Sequence, residues 1–161
     1  MTNYAFSRRR LLALSGSAFV LSSTELVRAG SDALAVVVAA RSTQRTLSLD
    51  ALRRIFLNKD TNSESGDRFV PINQRSSSRD RLRFDARVLS MTPDQVARYW
   101  IDQRLRGKRV PATVSSLPML KRALAELPGA ISYLALSDVD SSLRALSIDG
   151  KQPNDDRYAL R

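Results

Sequence analysis

Residues Phe69 to Phe84 read FVPINQRSSSRDRLRF: a short apolar strand, a turn of serines, then a helix. A chain that leaves a strand and enters a helix through such a turn presents backbone N–H groups and the positive end of a helix dipole. That arrangement suits an anion. Arg75, Arg79, Arg81 and Arg83 surround it. The candidate oxyanion contacts are Gln74, Ser76, Ser77, Ser78, Arg79 and Arg81. A purely structural reading stands beside this one. Ser77 followed three residues later by Asp80 also resembles a capping box, which starts a helix without binding anything.

Working outward, strand and helix signals alternate. Ala33 to Ala40 (ALAVVVAA) is a valine-rich apolar run that suits a buried central strand. Ser48 can cap a helix over 49–57, with Leu49, Leu52, Ile55 and Phe56 on one face and Arg53 and Arg54 outward. The helix after the serines runs to about Leu89 on a stripe of Leu82, Ala86 and Leu89, widened by Phe84 and Val88. Thr92-Pro93-Asp94-Gln95 opens a further helix with a capping box and proline in the first turn. Val96, Tyr99, Trp100 and Leu105 form its apolar side, and Gly107 ends it. The aromatic pair reads as core, and Arg106, Lys108 and Arg109 as a solvated helix end. The segment around Pro111 is extended. Ser116 and Pro118 open a helix striped by Leu117, Leu120, Leu124 and Leu127, and Pro128-Gly129 stops it. Ala130 to Leu136 and Leu143 to Ile148 read as strands, and the polar tail from Lys151 as partly loose. Alternation of this kind predicts an α/β fold, a mostly parallel sheet with helices on both faces.

The 161 residues include no cysteine and no histidine. That excludes disulfides, thiol nucleophiles, His bases and His/Cys zinc sites. Tyr99, Lys121 and the scattered carboxylates have no spacing that implies a catalytic site, so a non-enzyme is expected. Asp60, Asn62 and Glu64 imitate a calcium loop, but the glycine comes one residue late at Gly66 and Pro71 stands where the bidentate glutamate belongs. No metal and no cofactor are expected.

At the N-terminus, Ser7-Arg8-Arg9-Arg10-Leu11-Leu12 precedes an apolar run to Leu21, and Val27 and Ala29 fit a cleavage after Ala29. Residues 1–29 are therefore expected to be a twin-arginine-like signal peptide, with 30–161 as one domain in the periplasm. The general secretory route stays open, because no cofactor motif explains export of a folded chain. The run is too short for a stable membrane span. The net charge is +10; loss of Arg8, Arg9, Arg10, Arg28 and Glu25 leaves 22 basic against 15 acidic side chains, a net +7. Such a surplus attracts anions, and export argues against nucleic acid.

The chain resembles the phosphate-type periplasmic solute-binding proteins, and more closely their short single-lobe relatives with a type 2 periplasmic-binding-like domain. The likeness runs from about Ala35 to Gly150. It is carried in order by the valine-rich strand, LSLDALRRIFLNK (Leu47 to Lys59), VPINQ (Val70 to Gln74), Ser78 with Phe84 six residues on, Tyr99-Trp100, Gly107 with Pro111, and PGAISYL (Pro128 to Leu134). The resemblance implies an anion-binding Ser-Gly-Thr turn at Gln74 to Phe84, with Ser78 as its serine. Arg79 and Asp80 replace the Gly and Thr. A side chain at 79 hinders close backbone approach. A carboxylate at 80 repels phosphate unless the anion shares a proton; two like charges at 4 Å cost about 4 kcal/mol near a protein surface. The mature chain also matches chiefly one lobe of a two-lobe fold. Two functions follow: phosphate or related oxyanion recognition linked to ABC-type phosphate uptake, or a ligand-free interaction module of the cell envelope that kept the fold and lost the site. A single lobe cannot enclose a solute, so an envelope partner or homodimer is expected.

Overall fold

The computed structural model describes residues 33–62 and 68–161. The expected signal peptide and cleavage site, and Glu64 and Gly66 of the calcium-like loop, lie outside these residues. In chain order the elements are β1 (Leu34–Ala39), β2 (Thr46–Leu47), α1 (Leu49–Phe56), β3 (Val70–Gln74), α2 (Arg79–Phe84), α3 (Pro93–Leu105), β4 (Ala112–Val114), α4 (Leu117–Glu126), β5 (Ala130–Ala135), β6 (Leu143–Ala145) and β7 (Ser147–Ile148). α2 continues as a π-helical turn, Asp85–Leu89, and Ser90 closes it at φ 56°. The expected last strand is thus split at Leu146, and Thr46–Leu47 pairs in parallel with β7.

The main sheet has the order β4-β3-β5-β1-β6. β4, β3, β5 and β6 run one way, and β1 runs against them between β5 and β6. The sheet is mostly parallel, as the alternation predicts. Helices cover both faces. Alternate residues of β1 divide between two cores: Leu34, Val36 and Val38 pack with α1, α2 and α3, while Ala35 and Val37 pack with Leu120 and Leu124 of α4. This explains the unbroken apolar run, because a strand covered on both sides has no polar face. On the first face Phe84 stacks on Tyr133 with centroids 3.8 Å apart, and Phe56 lies 4.6 Å from Phe84. Such ring pairs add about 0.5–1.5 kcal/mol each beyond their buried area, and here they anchor α2 beneath the serine turn.

Local signals set the helix starts. Ser48, Thr92 and Ser116 each accept a backbone N–H in the first turn, and Thr92 with Gln95 completes the capping box. Four expectations are corrected. The cap of α2 is Ser78, whose Oγ accepts from the Arg81 N–H, and not Ser77. Its buried face is Arg81, Phe84, Asp85 and Val88, while Leu82 is 40% exposed. The ion pair of Arg81 and Asp85 occupies positions an apolar stripe would assign to leucine. Arg53 does not point outward: its Nε donates to the Val88 carbonyl at 2.7 Å and ties α1 to the π turn. Leu105 is 84% exposed and Leu127 47%, since each lies at the last turn of its helix beyond the sheet.

The tail is docked. Leu160 is fully buried and its carbonyl accepts from the Leu34 N–H at 3.1 Å. The Tyr158 hydroxyl accepts from the Val36 N–H at 3.4 Å. The tail takes up β1 where β6 leaves it, which satisfies buried backbone groups. Burial pushes the Tyr158 pKa up to about 12, the hydrogen bond from Val36 working against that shift.

Candidate functional site

The β3–β5 ladder has only two register pairs, Val70 with Ala130 and Pro71 with Ile131. Beyond them side chains hold the strands together. The Ser132 hydroxyl donates to the Ile72 carbonyl at 2.7 Å, the Tyr133 hydroxyl to Asn73 Oδ1 at 3.3 Å, and Gln74 Nε2 to the Tyr133 carbonyl at 2.9 Å. Gln74 Oε1 in turn accepts from the Ser78 hydroxyl at 3.3 Å. The serine turn is therefore fixed to the sheet by its two ends. It stands at the C-terminal ends of the parallel strands β3 and β4, where open α/β sheets place their ligands.

Each residue named from the sequence has a definite place. Gln74 is a clamp, with both ends of its amide engaged. The Ser78 amide donates to the Arg75 carbonyl at 3.0 Å, and the Ser78 hydroxyl caps α2. Ser76 and Ser77 are exposed on the turn, and Arg79 is exposed on the first residue of the helix. Arg81 is turned inward: its Nε donates to Asp85 Oδ2 at 2.6 Å, with both side chains under a tenth exposed. Burial raises the Asp85 pKa, opposed by the hydrogen bond and charge of Arg81. Asp85 Oδ1 is buried without a hydrogen-bond partner among the described residues. Burial also raises the Tyr133 pKa, well beyond the ordinary tyrosine range.

The turn divides two cavities. On one side Gln74, Arg75 and Ser78 meet Ser115, Ser116 and Leu117 at the start of α4 around 100 Å³. On the other, Gln74, Ser76, Arg81 and Asp85 meet Trp100, Arg104 and Thr113 around 240 Å³. Ser77 lines neither. Among the described residues Arg75 and Arg104 make no hydrogen bond or ion pair through their guanidinium groups. One unpaired cation thus flanks the turn on each side. A cavity of 580 Å³ lies at the other end of the sheet, between the loop at Arg41 to Gln44 and the Pro128-Gly129 turn. It has none of the serine-turn groups. No group of three potential metal ligands occurs among the described residues.

Sequence reading missed Arg104, Trp100 and Thr113. They come from α3 and β4, roughly thirty residues beyond the turn; β3–β4 pairing sets Thr113 beside Asn73, and Trp100 reaches the site from α3 by packing in the core. A usable signal was present: Val96, Trp100 and Arg104 follow one another at helical spacing, a cation continuing an apolar stripe.

No protein-family model matches the chain. Solved structures do resemble it. An ABC-type phosphate transport receptor from Vibrio cholerae superposes with a TM-score of 0.64 at 20% identity, covering 80% of this chain and 53% of that one. PstS from Borrelia burgdorferi superposes with a TM-score of 0.63 at 17% identity, covering 80% and 54%. The chain shares the α/β fold of the matched part of these two structures and spans about half their length. No helix among the described residues is long and apolar enough to cross a membrane.

Proposed function

We propose that residues 30–161 act in the periplasm, after loss of the signal peptide, as a solute-binding-like protein that recognises phosphate or a related oxyanion at the serine turn. The role is one of binding and not catalysis, and it is linked to ABC-type phosphate uptake. The observation that carries this reading is the placement of the turn at the strand ends, flanked by the unpaired guanidinium groups of Arg75 and Arg104. The likeness to two phosphate receptors supports it. The candidate contacts are Ser76 and Ser78 on the turn, with Gln74 and Arg81 holding its shape from behind; Ser77 and Arg79 line neither cavity. Charge-assisted hydrogen bonds from arginine to an oxyanion are about twice as strong as neutral ones. A hydrogen phosphate can share its proton with Asp80, which offsets the repulsion expected there.

A half-length chain offers a half-site. Periplasmic binding proteins close two lobes over their ligands, so tight capture by this chain needs a second copy or an envelope partner. The test is thermal unfolding of the mature protein in phosphate, sulfate and chloride at equal ionic strength. Binding at a hundred times Kd stabilises by about 2.7 kcal/mol. A shift in phosphate beyond that in chloride, reduced in Arg75→Ala and Arg104→Ala, is expected. Equal shifts in all three salts would refute the reading.

A further inference from the structure

We infer that the ligand of the serine turn is a small organic oxyanion, a phosphonate or phosphate monoester whose short apolar substituent occupies the cavity beside Trp100. The inference rests on the oxyanion reading above and names its ligand class. The cavity of 240 Å³ has room for about eight waters at roughly 30 Å³ each. A tetrahedral oxyanion brings only five heavy atoms, so it leaves most of this space unfilled.

The walls of this cavity are chemically divided. Ser76, Thr113 and Arg104 bring side-chain donors that are unpaired among the described residues. Val96, Trp100 and Val110 bring apolar surface. Water against these apolar walls finds few of the two to four polar partners it needs. Its displacement by alkyl groups is favourable, while the donors hold the charged end. The buried ion pair of Arg81 and Asp85 also lines this cavity.

The experiment is calorimetric titration of the mature protein with inorganic phosphate, methylphosphonate, propylphosphonate and butanoate at one ionic strength. Each methylene buried contributes about 0.8 kcal/mol, or about fourfold in affinity. Propylphosphonate should therefore bind about sixteenfold more tightly than methylphosphonate. Ala97 lines the cavity from an exposed helix position. Ala97→Leu should abolish the advantage of the propyl group and leave inorganic phosphate binding as it was. Phosphate binding with no gain along the phosphonate series overturns the inference and leaves the oxyanion reading intact. Failure of all four compounds overturns both. Butanoate binding as tightly as propylphosphonate overturns the choice of a phosphoryl group.

Discussion

Removing either partner of the buried Arg81–Asp85 pair should destabilise the protein, but the two losses should respond differently to pH. Both side chains are more than nine-tenths buried and lie 2.6 Å apart. Deleting one half of such a pair costs about 3–5 kcal/mol, because the other charge is left buried and alone. In Asp85→Ala the stranded group is a guanidinium, which does not lose its proton in any accessible range. The stability of that variant should not change through this site between pH 7 and pH 5, so its penalty should not shrink toward acid. In Arg81→Met the stranded group is a carboxyl whose pKa burial already raises in the intact pair. Without Arg81 the two influences that lower it are gone, so the folded pKa rises further. A raised folded pKa means that the native state holds a proton the unfolded chain releases above about pH 4. Stability of this variant then increases as pH falls, by up to about 1.4 kcal/mol per pH unit. Between pH 7 and pH 5 it should recover up to about 2.7 kcal/mol relative to wild type. The double variant Arg81→Met/Asp85→Leu should lie near wild type at both values. Urea unfolding followed by Trp100 fluorescence at the two pH values measures all of this. Equal penalties for Arg81→Met at pH 7 and pH 5, or an Asp85→Ala loss below 1 kcal/mol, would refute the argument.

The tail offers a second test at alkaline pH. Tyr158 is pushed up to about 12 from 10, so its contribution is whole below pH 10 and is lost as pH rises toward 12, up to roughly 2.7 kcal/mol; Tyr158→Phe should flatten that fall in the urea midpoint. Truncation after Arg157 removes two buried side chains, Tyr158 and Leu160, and should cost about 3 kcal/mol or more in the same assay. Gly129 has φ 73°, and a Cβ there would overlap the Arg68 carbonyl oxygen. Gly129→Ala should therefore cost about 2 kcal/mol or more, seen as a fall in Tm. Arg75→Ala and Arg104→Ala should change basal stability by less than about 0.5 kcal/mol, since both are exposed, while reducing any phosphate-induced shift.

Features encoded within a few residues were legible. The capping residues Ser48, Thr92 and Ser116, the glycine end of α3 and the doubly covered β1 strand all act through near neighbours, and each stands where its pattern put it. The inner face of α2 was not legible. An apolar count discards arginine and aspartate, yet at a spacing of four they neutralise each other and can be buried together. The direction of β1 was also hidden, because its partners lie about a hundred residues away. The site divides on the same line. The serine turn announces itself in sequence, whereas the walls of its cavities come from α3, β4 and α4 and meet only in the folded chain.

The place of β1 has a consequence for how the protein is made. Its strand is synthesised before the other described strands of the main sheet, yet it gains partners on both edges only when 130–135 and 143–145 arrive to flank it. Until residues 130–145 have been made, LAVVVA has no strand on either edge. Such a segment is a template for association with other chains. A nascent chain stalled before residue 130 should therefore bind chaperones through residues 34–39, and release from them should wait for residues 130–145.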